Sequence, residues 1–218
     1  MFGKHPFRLI ANAIDCEAFG FDPVRAEALR REAGLEDQFV MVHVGRFDPV
    51  KNHRFLLEIF REVLSRQENA ALLLAGTGDT MPQIREMAEN YGIAEKVRFL
   101  GSVSDIPGLL QLADAFVFPS LYEGLGISLI EAQAAGLSCF AADCVPGDAN
   151  VTGRVRYLPL SGGAALWAEE ILKAREQPRH RDTGLIRQQG YDIALEAEKL
   201  QEFYLRKYLE EVSCPLPC

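Results

Sequence analysis

Four short apolar runs in this chain stop abruptly at a glycine or a proline: Phe39–Val44 at Gly45, Ala70–Ala75 at Gly76, Val97–Leu100 at Gly101 and Ala115–Phe118 at Pro119. Runs of this length, bounded by turn formers, read as buried strands. Between them lie segments of helical spacing. His53 to Arg66 sets Phe55, Leu56, Ile59, Phe60, Val63 and Leu64 on one face. Pro82 helps start the next helix, with Thr80 as its expected cap, and Gly92 ends it. Asp105 with Pro107 opens a short helix to about Ala113, and the helix beyond Pro119 ends at Gly136. Ser138–Ala142 and Val155–Leu158 read as a fifth and a sixth strand, Ala164 to Glu176 as a helix, and a long helix over roughly 190–211 closes the pattern. Strands joined by helices of this length make βαβ units, which must pair in parallel and cover both sheet faces. The expected fold is α/β: a Rossmann-like doubly wound parallel sheet of about six strands with helices on both faces.

This pattern divides the 218 residues into three parts. Residues 1–38 are expected to be a connecting segment, with Asn12 and Asp15 in turns and a leading helix packed on the domain. Residues 39–184 form the Rossmann-like domain. Residues 185–218 hold the closing helix, whose Leu195, Leu200, Phe203, Tyr204, Tyr208 and Leu209 are more apolar than a plain terminal helix needs. A net charge of −8 argues against nucleic acid or an anionic membrane surface as a partner. No apolar run approaches the roughly 18 residues of a membrane span. The five cysteines form no disulfide framework, and as reduced thiols they point to the cytoplasm. Cys214 and Cys218 read as a frayed tail rather than a metal site. His5, His43, His53 and His180 are dispersed without metal-ligand spacing, and His43, inside the first strand, reads as a packed core residue.

Ligands of such sheets bind at the carboxyl ends of the strands, where the strand order reverses. Four segments lie there. Gly45-Arg46 through Lys51-Asn52-His53 places an arginine fork and an ammonium beside a close backbone turn, which suits a diphosphate; a solvated basic loop is the bland alternative. Gly76-Thr77-Gly78-Asp79 lacks the third glycine of a dinucleotide fingerprint, Met81 standing in its place, which argues against a nicotinamide dehydrogenase and leaves a tight turn near a ligand. Gly101 to Val103 offers backbone groups to a base edge, or merely precedes a helix cap at Asp105. Pro119 to Glu131 places Glu123 in a Gly124-Leu125-Gly126 loop and Glu131 in the second turn of the following helix. The helix amides between the two carboxylates form a phosphate cradle, so this segment suits a sugar nucleotide.

At these residues the chain resembles the family-4 retaining glycosyltransferases of the GT-B fold, specifically their C-terminal, nucleotide-sugar-binding domain. The resemblance is carried by Val44-Gly45-Arg46 with Lys51-Asn52, Leu74-Ala75-Gly76-Thr77-Gly78, Val97-Arg98-Phe99-Leu100-Gly101, Ala113-Asp114-Ala115 through Pro119-Ser120, the Glu123/Glu131 pair, and Glu131-Ala132 through Gly136. Asn12-Ala13-Ile14-Asp15 with Phe19 is similar to the interdomain link of that family, and the closing helix to the one that crosses back to the partner domain. The resemblance implies that Arg46 and Lys51 hold the diphosphate as leaving group, Glu131 the ribose and Glu123 the donor sugar. It places backbone amides of Gly124, Leu125 and Gly126 on sugar and phosphate, Gly45 beside the diphosphate, and Gly101 and Val103 at the base. Arg46, Lys51 and Glu123 would be the residues of the transfer itself. It implies no metal and no separate cofactor, the nucleotide-sugar being a substrate.

The family pattern is about twice this length. The acceptor, a glycan or a lipid-linked glycan, and any peripheral membrane contact are therefore expected to come through a missing N-terminal domain, with little transfer by this chain alone. Cys144-Val145-Pro146-Gly147-Asp148 stands where the family often has Gly-x-x-Glu. With Val151-Thr152 and Val155–Leu158, this region is similar to bacterial capsular or exopolysaccharide glycosyltransferases. The expected function is the donor-binding half of such an enzyme, using a UDP-sugar in surface-polysaccharide synthesis. The alternatives are a non-catalytic nucleotide-sugar-binding fragment and a sugar-nucleotide epimerase of the same fold.

Overall fold

The computed structural model describes residues 10, 12–179, 181 and 183–212. His5, His180, the Cys214 and Cys218 tail and residues 1–9 of the connecting segment lie outside the described residues. In chain order the elements are α1 (Cys16–Phe19), α2 (Pro23–Glu32), β1 (Phe39–Val44), α3 (His53–Leu64), β2 (Ala70–Ala75), α4 (Met81–Asn90), β3 (Val97–Gly101), α5 (Ile106–Leu112), β4 (Ala115–Phe118), α6 (Ile127–Ala134), β5 (Ser138–Ala142), β6 (Val155–Leu158), α7 (Gly163–Leu172), α8 (Thr183–Gln188) and α9 (Ile193–Val212). All six strands are parallel, in the order β3-β2-β1-β4-β5-β6, with helices on both faces. The apolar runs are continuous rather than alternating because the central strands are covered on both sides. Every residue of β2, β4 and β5 is buried. Chain order runs outward from β1 through β2 to β3, and outward the other way from β4 through β5 to β6. The loops after β1 and β4 therefore diverge onto opposite faces and leave a crevice between them.

Most element bounds follow from the sequence, and the departures have local causes. Thr80 makes no side-chain cap bond to α4. Its backbone is already helical rather than extended, which turns the hydroxyl away from the first amides, and its N–H donates to Phe47 O at 3.2 Å instead. The β3 strand runs on to Gly101 because the register with β2 shifts past Leu100. On α3, Leu57 and His53 are buried beside the expected Leu56, Ile59, Phe60 and Val63. Phe55 reaches sideways to stack edge-on against Trp167 of α7 at 5.7 Å. Of the expected 164–176 helix, the last turn, Lys173–Glu176, tightens to a 3-10 helix. The closing helix starts at Ile193 rather than 190, because Gly190 lies at φ +83° and Asp192 Oδ1 accepts from the amides of Ala194 and Leu195.

The leading and trailing segments are joined to each other. Asp15 caps α1 and Asp22 caps α2. Ile14 N donates to Tyr191 O at 2.8 Å and Ile193 N to Ile14 O at 2.9 Å. Glu17 takes ion pairs from Arg181 and Arg187. The strongest tie is Arg179, which nothing in the sequence pattern marks. Its guanidinium donates to the carbonyls of Leu110, Gln111 and Ala113 at the end of α5 and of Ala135 at the end of α6, and lies 4.0 Å from the centre of the Phe21 ring. Helix ends carry unpaired carbonyls and partial negative charge, so a buried cation there satisfies both. Arg179→Leu should lower stability by about 2–4 kcal/mol in urea unfolding, since four carbonyls lose their donor.

Gly76 and Gly78 also have a structural reason different from a ligand turn. A Cβ on Gly76 would stand 2.0 Å from Gly45 O, and one on Gly78 would stand 2.3 Å from Phe47 O. The loop after β1 lies directly on these glycines, with Phe47 N donating to Thr77 O at 2.9 Å. Gly76→Ala should therefore push the Gly45–Phe47 backbone off β2 and cost about 3 kcal/mol or more. A thermal unfolding curve superposable on that of the parent chain would contradict this account.

Candidate functional site

The crevice between β1 and β4 is closed at its floor by contacts between the two loops that diverge from it. Asp48 Oδ1 caps a turn at Val50, and the Pro49–Lys51 stretch winds as one 3-10 turn. Asn52 then takes a left-handed conformation, φ 55°, the one positive φ at a non-glycine position among the described residues. Asparagine is among the few side chains that tolerate it. The conformation redirects the chain into α3 and lets Asn52 Nδ2 donate to Pro119 O at 3.2 Å. Leu121 N donates back to Val50 O at 2.8 Å. Between these two bonds Lys51 Nζ meets Glu123 Oε1 at 2.6 Å and lies 5.0 Å from the centre of the Phe118 ring. The pair is held largely out of water, the Lys51 side chain being 20% and the Glu123 side chain 10% exposed. A short ion pair in such a place is stronger than one at the surface.

The expected site residues do not all converge. Lys51 and Glu123 do. Arg46 projects into solvent, 82% exposed, with Asp48 as its nearest carboxylate at 3.7 Å. It stands beside the crevice but is not locked onto it. Gly45 is needed for space rather than for its φ, since a Cβ there would lie 2.9 Å from His43 Nε2 and 3.4 Å from Lys51 Cδ. Gly126, at φ +75°, turns the chain into α6, and no side chain caps that helix. Gly124 and Leu125 precede it in the same loop, so the first amides of α6 have no side-chain partner. Gly101 stands at φ +67° with open space around its Cα, and its carbonyl accepts from Gly76 N at 2.7 Å. Val103 lines a cavity of about 540 Å³ with Leu100, Ser104, Asp105 and Leu29 of α2.

Glu131, one helical turn into α6, differs from Glu123 in having no partner. It is half-buried and makes no ion pair or side-chain hydrogen bond among the described residues. Burial pushes its carboxyl up to about 7 from an ordinary 4.5. A carboxylate left unpaired where water is scarce costs stability and waits for a donor. His43 is buried and neutral, as its place in β1 suggests: burial lowers its pKa to about 4 while Nδ1 lies 2.8 Å from Val117 O. His53, stacked 4.1 Å from Phe47, is lowered by burial and by its neighbour His43 to about 3. Lys51 and Arg46 are thus the cations of the crevice at neutral pH. Among the described residues no group of three or more His, Cys, Asp or Glu could hold a metal ion. Among the described residues no helix is long and apolar enough to cross a membrane.

Other cavities lie elsewhere. Spaces of about 250 and 550 Å³ open at the amino ends of the strands, beside Gln38, Phe39 and Asp114 and beside Ser138, Cys139 and Val155. The arginines of the first, Arg30 and Arg179, are already occupied by backbone carbonyls and, for Arg30, by Asp114. Gln133 is the position that sequence reasoning passed over near the crevice, and Asn52, named there only as part of its loop, gains a bond across it. Gln133, fully buried in α6, holds the loop after β5 through Ala149 O, Thr152 N and Thr152 Oγ1. A buried glutamine inside an apolar helix was its signal.

Comparison with known proteins gives the family of the chain. The family model described as "Glycosyl transferases group 1" matches residues 25–183. The putative glycosyltransferase EpsF of Bacillus subtilis is 35% identical over 201 residues, covering 90% of this chain and 52% of that protein. A UDP-Gal:alpha-D-GlcNAc-diphosphoundecaprenol alpha-1,3-galactosyltransferase of Escherichia coli is 28% identical over 139 residues, covering 62% of this chain and 36% of that protein. The chain thus spans about half, or less, of the length of these relatives. Among solved structures, Anabaena HepE in complex with UDP-glucose superposes with a TM-score of 0.74 at 22% identity, over 91% of this chain and 57% of that one. The crevice lies within the matched residues, and on sequence and fold together the chain belongs to the group 1 glycosyltransferase family.

Proposed function

We propose that this chain is the donor-binding domain of a retaining, family-4-type glycosyltransferase. It takes a sugar from a nucleotide-sugar, a UDP-sugar on this reading, for transfer to a glycan or lipid-linked acceptor in surface-polysaccharide synthesis. The observation that carries the proposal is the Lys51–Glu123 contact, which joins a cation and a carboxylate across the crevice where the strand order reverses. EpsF and the galactosyltransferase support the reaction class, and HepE with UDP-glucose supports the donor class.

On this reading each residue has a distinct task. Lys51, with Arg46 closing over it, holds the diphosphate and stabilises the charge that develops as it leaves. The α6 amides beyond Gly124, Leu125 and Gly126 bind phosphate and sugar without a side-chain charge. Glu123 accepts from donor-sugar hydroxyls, and Glu131 from the ribose hydroxyls. Gly101 and Val103 border the base. Departing phosphate takes the acceptor's proton on the same face of the sugar, which accounts for retention with no general base among the buried histidines. The acceptor comes from a second domain closing over the crevice, because transfer needs both reactants held in one place.

Calorimetry against UDP-, GDP- and ADP-sugars tests the donor assignment. Lys51→Ala should weaken binding by about tenfold to a hundredfold, the loss of a charge-assisted bond. Equal affinity in that variant would remove the diphosphate assignment.

Glu131 gives a test with a worked sign. Ribose hydroxyls favour its ionised form, so donor affinity should fall as pH drops from 8 to 6 through the value of about 7. Glu131→Gln should flatten that dependence and bind more weakly at pH 8. Its effect on the free protein should be opposite. A carboxyl raised in the folded state adds stability below its ordinary value and loses it as pH rises through 7, so Glu131→Gln should melt higher than the parent at pH 8 and no higher at pH 4. A variant that neither melts higher at pH 8 nor loses affinity there would show that Glu131 is an ordinary surface carboxylate.

A further inference from the structure

His43 and His53 lie directly beneath the crevice, and three of their four ring nitrogens have no hydrogen-bond partner. His43 is fully buried. With Nδ1 given to Val117 O, which can only accept, the proton of the neutral ring is on Nδ1. Nε2 is then a lone pair with no donor. His53 stands edge-on to it with ring centres 4.9 Å apart yet makes no hydrogen bond to it, and Phe116 and Phe118, the other rings against it, have none to offer. Buried acceptors are rarely left so in a folded protein, and an exception calls for a partner that arrives in another state.

The space Nε2 faces is bordered by one cation. The position where a Cβ on Gly45 would stand is 2.9 Å from Nε2, 3.4 Å from Lys51 Cδ and 3.5 Å from Lys51 Cε. The Lys51 stem therefore passes over the same small gap left by the missing side chain of Gly45, and its charge already opposes protonation of His43. In the free protein the ammonium is turned away to Glu123. An ammonium carries three protons and the contact with Glu123 uses one, so a second acceptor below it can be taken without loss of charge.

We propose that His43 is a positioning residue of the crevice, whose Nε2 receives the Lys51 ammonium when Glu123 is taken up by a ligand's hydroxyls. The inference rests on the donor reading above for its purpose, but not for its geometry. Lys51 moves inward by rotation about its stem, Gly45 leaves the passage open, and the ammonium then stands under the diphosphate with one proton on His43 and the others for oxygen. The neutral ring is what makes this work, since an imidazolium there would repel Lys51.

The 15N resonance of His43 Nε2 tests the switch in the ligand-free protein. Glu123→Gln frees Lys51 from its carboxylate and should move that resonance upfield, as for an unprotonated ring nitrogen that gains a hydrogen bond. Adding Lys51→Ala to Glu123→Gln should return it to the parent position. An Nε2 resonance unchanged by Glu123→Gln, or a shift that survives Lys51→Ala, overturns the proposal whether or not any nucleotide binds. Binding gives the second arm. His43→Phe keeps an aromatic ring and removes the acceptor; it should weaken UDP about tenfold in the parent and leave affinity unchanged in the Lys51→Ala background. Equal losses in both backgrounds would mean a purely structural ring and overturn the assignment. Failure of UDP, GDP and ADP alike to bind would instead remove the donor reading, and the resonance experiment would still decide the role of His43.

Discussion

The parting of β1 and β4 is the constraint from which the rest follows. Two neighbouring parallel strands send their chains to opposite faces of the sheet, so their carboxyl ends cannot be bridged by a single loop. The gap has to be closed by contacts between two separate loops. The protein closes it with two hydrogen bonds to backbone carbonyls, Asn52 Nδ2 to Pro119 O and Leu121 N to Val50 O, and with one ion pair between them. These two bonds fix the loops and leave the ion pair free to exchange partners. A crevice sealed by packed apolar side chains would have no such freedom, because interdigitated cores resist displacement.

Below this seal the backbone is packed more tightly than side chains permit. The loop after β1 rests on Gly76 and Gly78, and Gly45 rests against His43. Three glycines are therefore spent on bringing β1, its loop and the turn after β2 into contact. That closeness gives the loop a rigid bed, with Phe47 fully buried and stacked on His53 and Phe99. On either side of Phe47 the loop meets solvent, at Arg46 before it and at Pro49 and Val50 after it. The Lys51 side chain stays largely out of water, while that of Arg46 points outward. Of the two cations one is pre-positioned and the other is free to close.

The six strands were legible because the central ones are nearly continuous apolar runs and the edge strands, broken by Arg98 and Arg156, are short β-rich runs stopped by turn formers, and the parallel sheet follows from the helices between them. The candidate site was legible because a sheet of this winding puts its loops in one place, so Arg46, Lys51, Glu123 and Glu131 could be grouped without coordinates. What the sequence does not carry is the state of each residue once grouped. Nothing in the spacing says that Lys51 and Glu123 touch while Arg46 stays in solvent. The Gly76-Thr77-Gly78 turn looked like a ligand loop because close approach of backbone to backbone and of backbone to phosphate both require glycine. Arg179 was invisible for a related reason: its partners are carbonyls, which every residue has, so no complementary side chain betrays it.

The two glutamates show how one loop and its helix divide opposite electrostatic tasks. Glu123 sits at the seam, where Lys51 supplies a charge at 2.6 Å and keeps a buried carboxylate affordable. Glu131 lies on α6 a turn deeper, where burial alone acts on it and no cation is in reach. A fold optimised only for stability would pair both or replace the second, since an unpartnered carboxylate in a half-buried place is a persistent cost. On the proposed reading, its partner is a ligand that brings hydroxyl donors rather than charge. A cationic ligand would suit Glu131 but would be repelled by Lys51 and Arg46 on the neighbouring loop. An anion alone would suit those cations but leave Glu131 worse than unpaired. On the proposed reading, a molecule that carries both hydroxyls and negative charge suits the two glutamates and the cations together, and a nucleotide-sugar carries both.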